Sequence, residues 1–235
     1  MEATSYGASL KRKLLLARKD KAKDGKPVLK MRVNEIPTDK GTRVFETYTT
    51  DKGTYHYEVF SGFAGIITDI YRANKTIADE QIPYLFCEVI SGGEQITFEV
   101  NRLDHRFSMN LMNRILNPQY QPGISAEFSP YDMVKDGKQQ LGIAVRQNGQ
   151  IVPSPDKTYF DNLNRPQPDT WQARGGKTEY DFMPTAEWLL ARCVEKISGF
   201  ITAASPKLDA ANINIPKGPP EPAQLPQIDE DGLPF

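Results

Sequence analysis

The strongest constraint on the fold is a Gly92-Gly93 turn between two segments in which apolar and polar residues alternate, residues 84–90 and 95–100. A two-residue Gly-Gly loop between such segments predicts a β-hairpin of defined register. In that register Cys87 faces Phe98. Since successive side chains point to opposite faces of a strand, one face of the hairpin is then wholly apolar. The chain is therefore expected to build a β-sheet with at least one buried face.

Two aromatic residues fall on the other face of this hairpin. The same register sets Tyr84 opposite Asn101 and Phe86 opposite Glu99. Rings on the polar side of a sheet can stack with nucleic-acid bases. Alternatively, these rings belong to a second buried layer that covers the sheet from that side. For Phe86 this alternative is equally good.

Further alternating segments predict a mainly β protein. They are residues 44–50, 54–60, 63–71, 124–134 and 139–147. A helical pattern at 106–117 falls among them, so the order from residue 62 to 147 is three strands, a helix and two strands. That order predicts an OB-fold, a five-stranded Greek-key barrel with its helix between strands 3 and 4. SH3-like barrels lack this helix, and an immunoglobulin-like sandwich needs more strands.

Charge and proline content divide the chain into three parts. Residues 1–43 form a basic segment, and residues 44–204 form the OB-fold domain, with an additional N-terminal hairpin at 44–60. Thr185 is expected to cap a C-terminal helix running from 186 to about 201. Residues 205–235 are rich in proline and acids, which predicts a disordered tail.

Several function classes find little support in the composition. The chain has two cysteines and two histidines, none in a metal-ligand or nucleophile-and-base spacing, so no enzyme activity, metal or cofactor is expected. No apolar run approaches the roughly 18 residues that cross a bilayer. The first residues also lack a signal-peptide pattern. These features predict a cytoplasmic protein with no membrane partner.

The last residues carry a resemblance to a known family. Three acids and an apolar ending follow the proline-rich stretch: Asp229, Glu230, Asp231, Leu233, Pro234 and Phe235. This ending resembles the acidic tip of bacterial and phage single-stranded DNA-binding proteins. Because about sixty residues precede the first barrel strand, the chain is more similar to the larger phage-type binders, and it could be a monomer or a small homo-oligomer.

The resemblance implies sequence-independent binding and protection of single-stranded DNA during replication, recombination and repair. It also implies that the acidic tip recruits partner proteins, in a bacterium or a phage-infected host. The alternative is an OB-fold adaptor of the replication machinery that binds no nucleic acid itself. A nuclease would need clustered carboxylates for metal ions, and no such constellation is evident in the sequence.

Residues for DNA binding are chosen by their chemistry, since rings stack with bases and cations contact phosphates. Arg72 and Lys75 are expected in a connection, residues 72–76, that joins barrel strands 1 and 2. Trp171 is expected in a loop. The complete set is Tyr84, Phe86, Arg72, Lys75, Tyr71, Tyr57, Arg102 and Trp171.

Overall fold

The computed structural model describes residues 12–17, 26–135, 137–173 and 177–208. The protein is mainly β, as predicted. Its strands are β1 (Arg12–Ala17), β2 (Val28–Val33), β3 (Val44–Thr50), β4 (Gly53–Phe60), β5 (Phe63–Ile77), β6 (Glu80–Ser91), β7 (Glu94–Arg102), β8 (Ala126–Lys135), β9 (Lys138–Gln147), β10 (Gln150–Val152), β11 (Asp169–Gln172) and β12 (Thr178–Asp181). Its helices are α1 (Arg106–Leu116), α2 (Lys157–Asn162) and α3 (Met183–Leu208). The predicted tip, residues 229–235, lies outside the described residues, as does the predicted tail from 209 onward; residues 205–208, predicted as the start of that tail, instead continue helix α3.

Ten strands form one open, mixed sheet in the order β10-β9-β8-β5-β6-β7-β1-β2-β4-β3. The strands β8-β5-β6-β7 have the neighbour order of a Greek key, and α1 lies between β7 and β8 in sequence. Within the described ranges β7 pairs with β6 and β1 rather than with β9, so the sheet does not close into a five-stranded barrel. Strands β11 and β12 form a separate two-stranded sheet.

The register of the β6–β7 hairpin is the one predicted from Gly92-Gly93 over most of its length. Cys87 pairs with Phe98, and Phe86 pairs with Glu99. Beyond Phe86 the register shifts by one residue, so Tyr84 pairs with Arg102 and not with Asn101. The shift is a β-bulge, in which one strand carries an extra residue and bends.

Strand β5 is longer than predicted, and this corrects the expectation for residues 72–76. These residues continue the strand and pair with β6 as far as Ile77 opposite Glu80. The turn lies at Ala78 and Asp79, which have φ angles of 49° and 65°. Two consecutive left-handed residues make a hairpin turn whose twist matches the strands.

A tight approach between strands accompanies the bend in β5. A Cβ on Gly65 would lie 2.4 Å from Val89 Cγ1 and 2.8 Å from the Ile90 carbonyl oxygen. Gly65 is also where β5 changes partner, since residues 63–65 pair with β8 and the following residues pair with β6. Glycine is therefore required there by space, as expected for a strongly bent strand.

One apolar core lies between the sheet and helices α1 and α3. The predicted apolar side of α1 is buried, with Phe107, Leu111 and Ile115 all in this core. Helix α3 begins earlier than predicted, because Asp181 Oδ1 accepts a hydrogen bond from the Met183 backbone N–H. Thr185 is therefore inside the helix, and its hydroxyl donates to the Pro166 carbonyl instead of capping.

The described part of the basic segment, residues 1–43, contributes two strands to the same sheet. Strand β1 pairs in parallel with β7, Leu14 beside Phe98, and in antiparallel fashion with β2. Leu14 and Leu29 are fully buried in the core. In the described ranges no helix is both long enough and apolar enough to cross a membrane.

Candidate nucleic-acid interface

The sheet has a second face, turned away from the main core, on which rings and cations collect. Strand pairings assign residues to this face: Tyr71 pairs with Phe86, Phe86 with Glu99, and Arg32 with Tyr57. Paired residues share a face, and so do residues two positions apart on one strand. We call this surface the aromatic–cation face. Its rings and cations are Tyr48, Tyr55, Tyr57, Tyr71, Tyr84, Phe86, Lys13, Lys30, Arg32 and Lys75.

Four rings on this face each have a cation close by. The distances from the cation to the ring centroid are 5.6 Å for Lys13 Nζ and Phe86, 4.7 Å for Lys30 Nζ and Tyr48, 4.5 Å for Arg32 Cζ and Tyr55, and 4.7 Å for Lys75 Nζ and Tyr84. Each distance is within the range of a cation–π interaction. Aromatic rings and cationic side chains therefore lie close together on this face.

Glu99 connects two of these cations. Its Oε1 lies 2.7 Å from Lys75 Nζ, and its Oε2 lies 2.7 Å from Lys13 Nζ. Glu99 is only 7% exposed, whereas the two lysine side chains are partly accessible. A buried carboxylate is tolerated because both of its oxygens face a positive charge.

A second acid on the face orients a different pair of groups. Glu46 lies 2.6 Å from Lys30 Nζ, and both Glu46 and Lys30 are buried. The Tyr48 hydroxyl donates to Glu46 and accepts from Lys30. Burial, followed by the hydrogen bond to Glu46, raises the pKa of Tyr48, so this hydroxyl stays protonated at neutral pH.

Phe86 is held between two neighbours and is only 4% exposed. The Tyr71 ring stacks with it at a centroid distance of 5.6 Å and an interplanar angle of 13°. Lys13 lies over it as well. The Tyr71 hydroxyl donates to Glu88 Oε1 at 3.0 Å. Burial and this hydrogen bond raise the pKa of Tyr71, which keeps the hydroxyl a donor.

The structure brings some of the predicted site residues together. Tyr84, Lys75, Tyr71 and Phe86 are neighbours on β5 and β6 of the aromatic–cation face. Tyr57 shares that face but is 2% exposed, so in this conformation neither it nor Phe86 offers a free ring surface.

Two other predicted residues lie apart from this group, and a third is held in an ion pair beside it. Arg72 occupies the opposite face of β5, and its guanidinium lies 2.6 Å from Glu187 of α3. Arg102 pairs with Tyr84 at the bulge, but its guanidinium forms a two-point ion pair with Asp104. Trp171, expected in a loop, lies on β11 and is 48% exposed.

Sequence reasoning missed Lys13, Lys30, Arg32 and the bridging Glu99. A signal existed in β2, where Lys30 and Arg32 flank Met31, because polar residues alternating with an apolar one indicate a strand with one buried face. The high lysine content of residues 9–32 concealed this alternation. No pattern in the sequence indicates that Glu99 contacts two lysines from distant strands.

The described ranges offer few side chains for binding a metal ion or for thiol chemistry. They contain no group of three or more His, Cys, Asp or Glu side chains arranged to hold a metal ion. Both cysteines are fully buried, and this burial raises the pKa of the Cys87 and Cys193 thiols. Thiolate is the reactive form, so these are not activated nucleophiles.

Comparison with known proteins finds no similar protein. No protein-family profile matches the chain, and neither the curated proteins nor the solved structures contain a significant match to it.

Proposed function

We propose that this protein binds single-stranded DNA without sequence preference and protects it during replication, recombination and repair. The observation that carries the proposal is the aromatic–cation face, on which four rings each lie within 5.6 Å of a cation and two of these rings, Tyr48 and Tyr84, are accessible. Rings accept any base, because every base has a flat face, and cations track the phosphates. Neither group reads base edges, so the expected binding is indifferent to sequence.

The length of the aromatic–cation face suits a single strand of DNA rather than a small ligand. It crosses seven neighbouring strands, from β5 to β3, in the continuous sheet. With adjacent strands about 4.8 Å apart, this distance is roughly 30 Å. A surface of that length can contact several consecutive nucleotides.

The Greek-key half of the sheet supports a relationship to the OB-fold as part of the same proposal. Its order, β9-β8-β5-β6-β7 with a helix before β8, has the three-strand, helix, two-strand sequence of that fold. OB-folds take oligonucleotides on the face of their second and third strands. Tyr84 and Phe86 on β6, and Glu99 on β7, belong to the corresponding strands. We infer an opened OB-like unit whose edge is extended by β1.

We also propose that the acidic tip, residues 229–235, recruits replication or repair proteins. The support is the resemblance of this ending to that of bacterial and phage single-stranded DNA-binding proteins. Phe235 would insert its ring into an apolar pocket, while a partner's Arg or Lys binds the neighbouring acids and the terminal carboxylate.

The test is a titration of fluorescent oligothymidine with the full chain at two salt concentrations, with duplex DNA of the same length as control. Affinity for the single strand should be higher than for the duplex and should fall steeply with salt, because phosphate contacts release counterions. If the protein binds no DNA yet still captures partners through its tip, it is the adaptor instead.

A further inference from the structure

We propose that Glu99 occupies the place of a DNA phosphate in the free protein and sets the binding strength of the aromatic–cation face. The proposal rests on the function proposed above. In this proposal, Glu99 binds Lys13 and Lys75 until a strand of DNA displaces it.

The geometry at Glu99 resembles that of a bound phosphodiester. A carboxylate and a phosphodiester each present two oxygens that share one negative charge. Here Oε1 faces Lys75 and Oε2 faces Lys13, both at 2.7 Å. The lysines come from β5 and β1, which lie on either side of the β6–β7 hairpin. Glu99 thus gathers two cations to one point between them.

The same two lysines also cover rings. Lys13 lies over Phe86, and Lys75 lies over Tyr84, so the Glu99 ion pairs hold a cation against each ring. A phosphate that attracts either lysine draws it away from Glu99 and from the ring. Capture of the backbone and exposure of a stacking surface are therefore coupled events.

Competition gives Glu99 a predictable effect on affinity. Each lysine that turns to a phosphate must leave an existing ion pair, and Glu99 then repels the incoming strand. Replacing Glu99 with Gln removes both effects while retaining the size of the side chain. We expect Glu99→Gln to tighten binding to oligothymidine about three- to tenfold near 50 mM salt. The slope of log affinity against log salt should steepen by about 0.7, the value for one additional phosphate contact on a single strand.

Glu94→Gln is the matched control. Glu94 lies on β7 like Glu99, and its Oε2 pairs with Arg12 of β1 at 2.9 Å, but both partners are exposed. Its side chain points to the other face, since the two positions are five residues apart and an odd spacing along a strand changes the face. The substitution makes the same change in net charge without touching the two lysines. It should alter affinity less than twofold, as expected of an exposed ion pair.

The experiment measures anisotropy of labelled oligothymidine with the full-length wild type and both variants, after circular dichroism has verified folding. Tighter binding and a steeper slope for Glu99→Gln alone support the proposal. Equal gains in both variants overturn it, because the effect is then one of net charge, and weaker binding by Glu99→Gln overturns it as well.

A second variant covers the case in which Glu99→Gln does not fold. Glu99→Asp keeps the charge but is one methylene shorter, so it can reach only one of the two lysines, and about twofold tighter binding is expected. Unchanged or weaker binding by this variant contradicts the proposal. Failure of the wild type to bind any single strand is a different result, since it refutes the proposed function itself.

Discussion

Replacing Tyr84 with Ala tests whether the rings of the aromatic–cation face stack with bases. Tyr84 is half-buried on β6, and its ring has Lys75 above it at 4.7 Å. On binding, a base stack worth about 1–3 kcal/mol replaces a cation–π contact worth about 0.5–1 kcal/mol. The net loss on removing the ring is about 0.5–2 kcal/mol, or roughly a twofold to thirtyfold weaker affinity.

The salt dependence separates stacking from charge. Tyr84→Ala removes no charge, so the slope of log affinity against log salt should stay unchanged. Lys75→Ala should instead make the slope shallower, by up to about 0.7 if Lys75 contacts one phosphate. Tyr84→Phe is the control, because it keeps the ring and should keep most of the affinity.

The assay is fluorescence anisotropy with labelled oligothymidine over a series of salt concentrations, beside a thermal melt of each variant. If folded Tyr84→Ala binds as tightly as the wild type, the rings of this face do not stack with bases. If the variant unfolds, the ring is a structural element of the sheet and its assignment to the interface is wrong.

Three further predictions address other parts of the molecule. Arg72→Gln breaks an exposed ion pair with Glu187 on the opposite face of the sheet, so it should change DNA affinity less than twofold and the melting temperature only slightly. A loss of DNA affinity as large as that for Lys75→Ala would contradict the assignment of Arg72 to that face. Phe98→Ala deletes a buried ring of the core and should lower the free energy of unfolding in urea by about 3–5 kcal/mol, with a loss below about 1 kcal/mol arguing against the register. Deleting residues 229–235 should leave the melting temperature unchanged and keep or modestly tighten DNA binding, but it should abolish partner pull-down from host extract. Phe235→Ala should reproduce most of the pull-down loss. If the truncated protein unfolds, the tip is a structural element.

Local patterns predicted the fold best where the turn chemistry was explicit. Gly92-Gly93 sets a register that holds from Ser91 back to Phe86. The prediction failed at Tyr84, because a bulge adds a residue that alternation alone does not reveal. The turn at Ala78 and Asp79 was missed for a related reason. Its residues adopt left-handed φ angles without a glycine, so Asp79 was a much weaker turn signal than a Gly-Gly pair.

Long-range pairing limited the prediction of the interface. Tyr84 and Lys75 were selected by their chemistry, and the structure does make them neighbours. Lys13 and Glu99 were missed because β1 joins β7 from far away in the sequence, and such pairing leaves no local periodic signal. The sequence places Arg72 with Lys75 because residues 72–76 are predicted to be a connection between strands. In a strand, an odd spacing of three residues sends the two side chains to opposite faces.

The parallel pairing of β1 with β7 also determines how late the sheet can be completed during synthesis. Leu14 leaves the ribosome before its partner Phe98, which follows only after about 80 further residues, or roughly 4–16 s at ordinary rates of translation. In that interval β1 can pair with β2, yet its other edge has no partner. An unpaired apolar edge is a site for wrong association between chains. The nascent chain therefore exposes this edge to wrong association until the β6–β7 hairpin emerges.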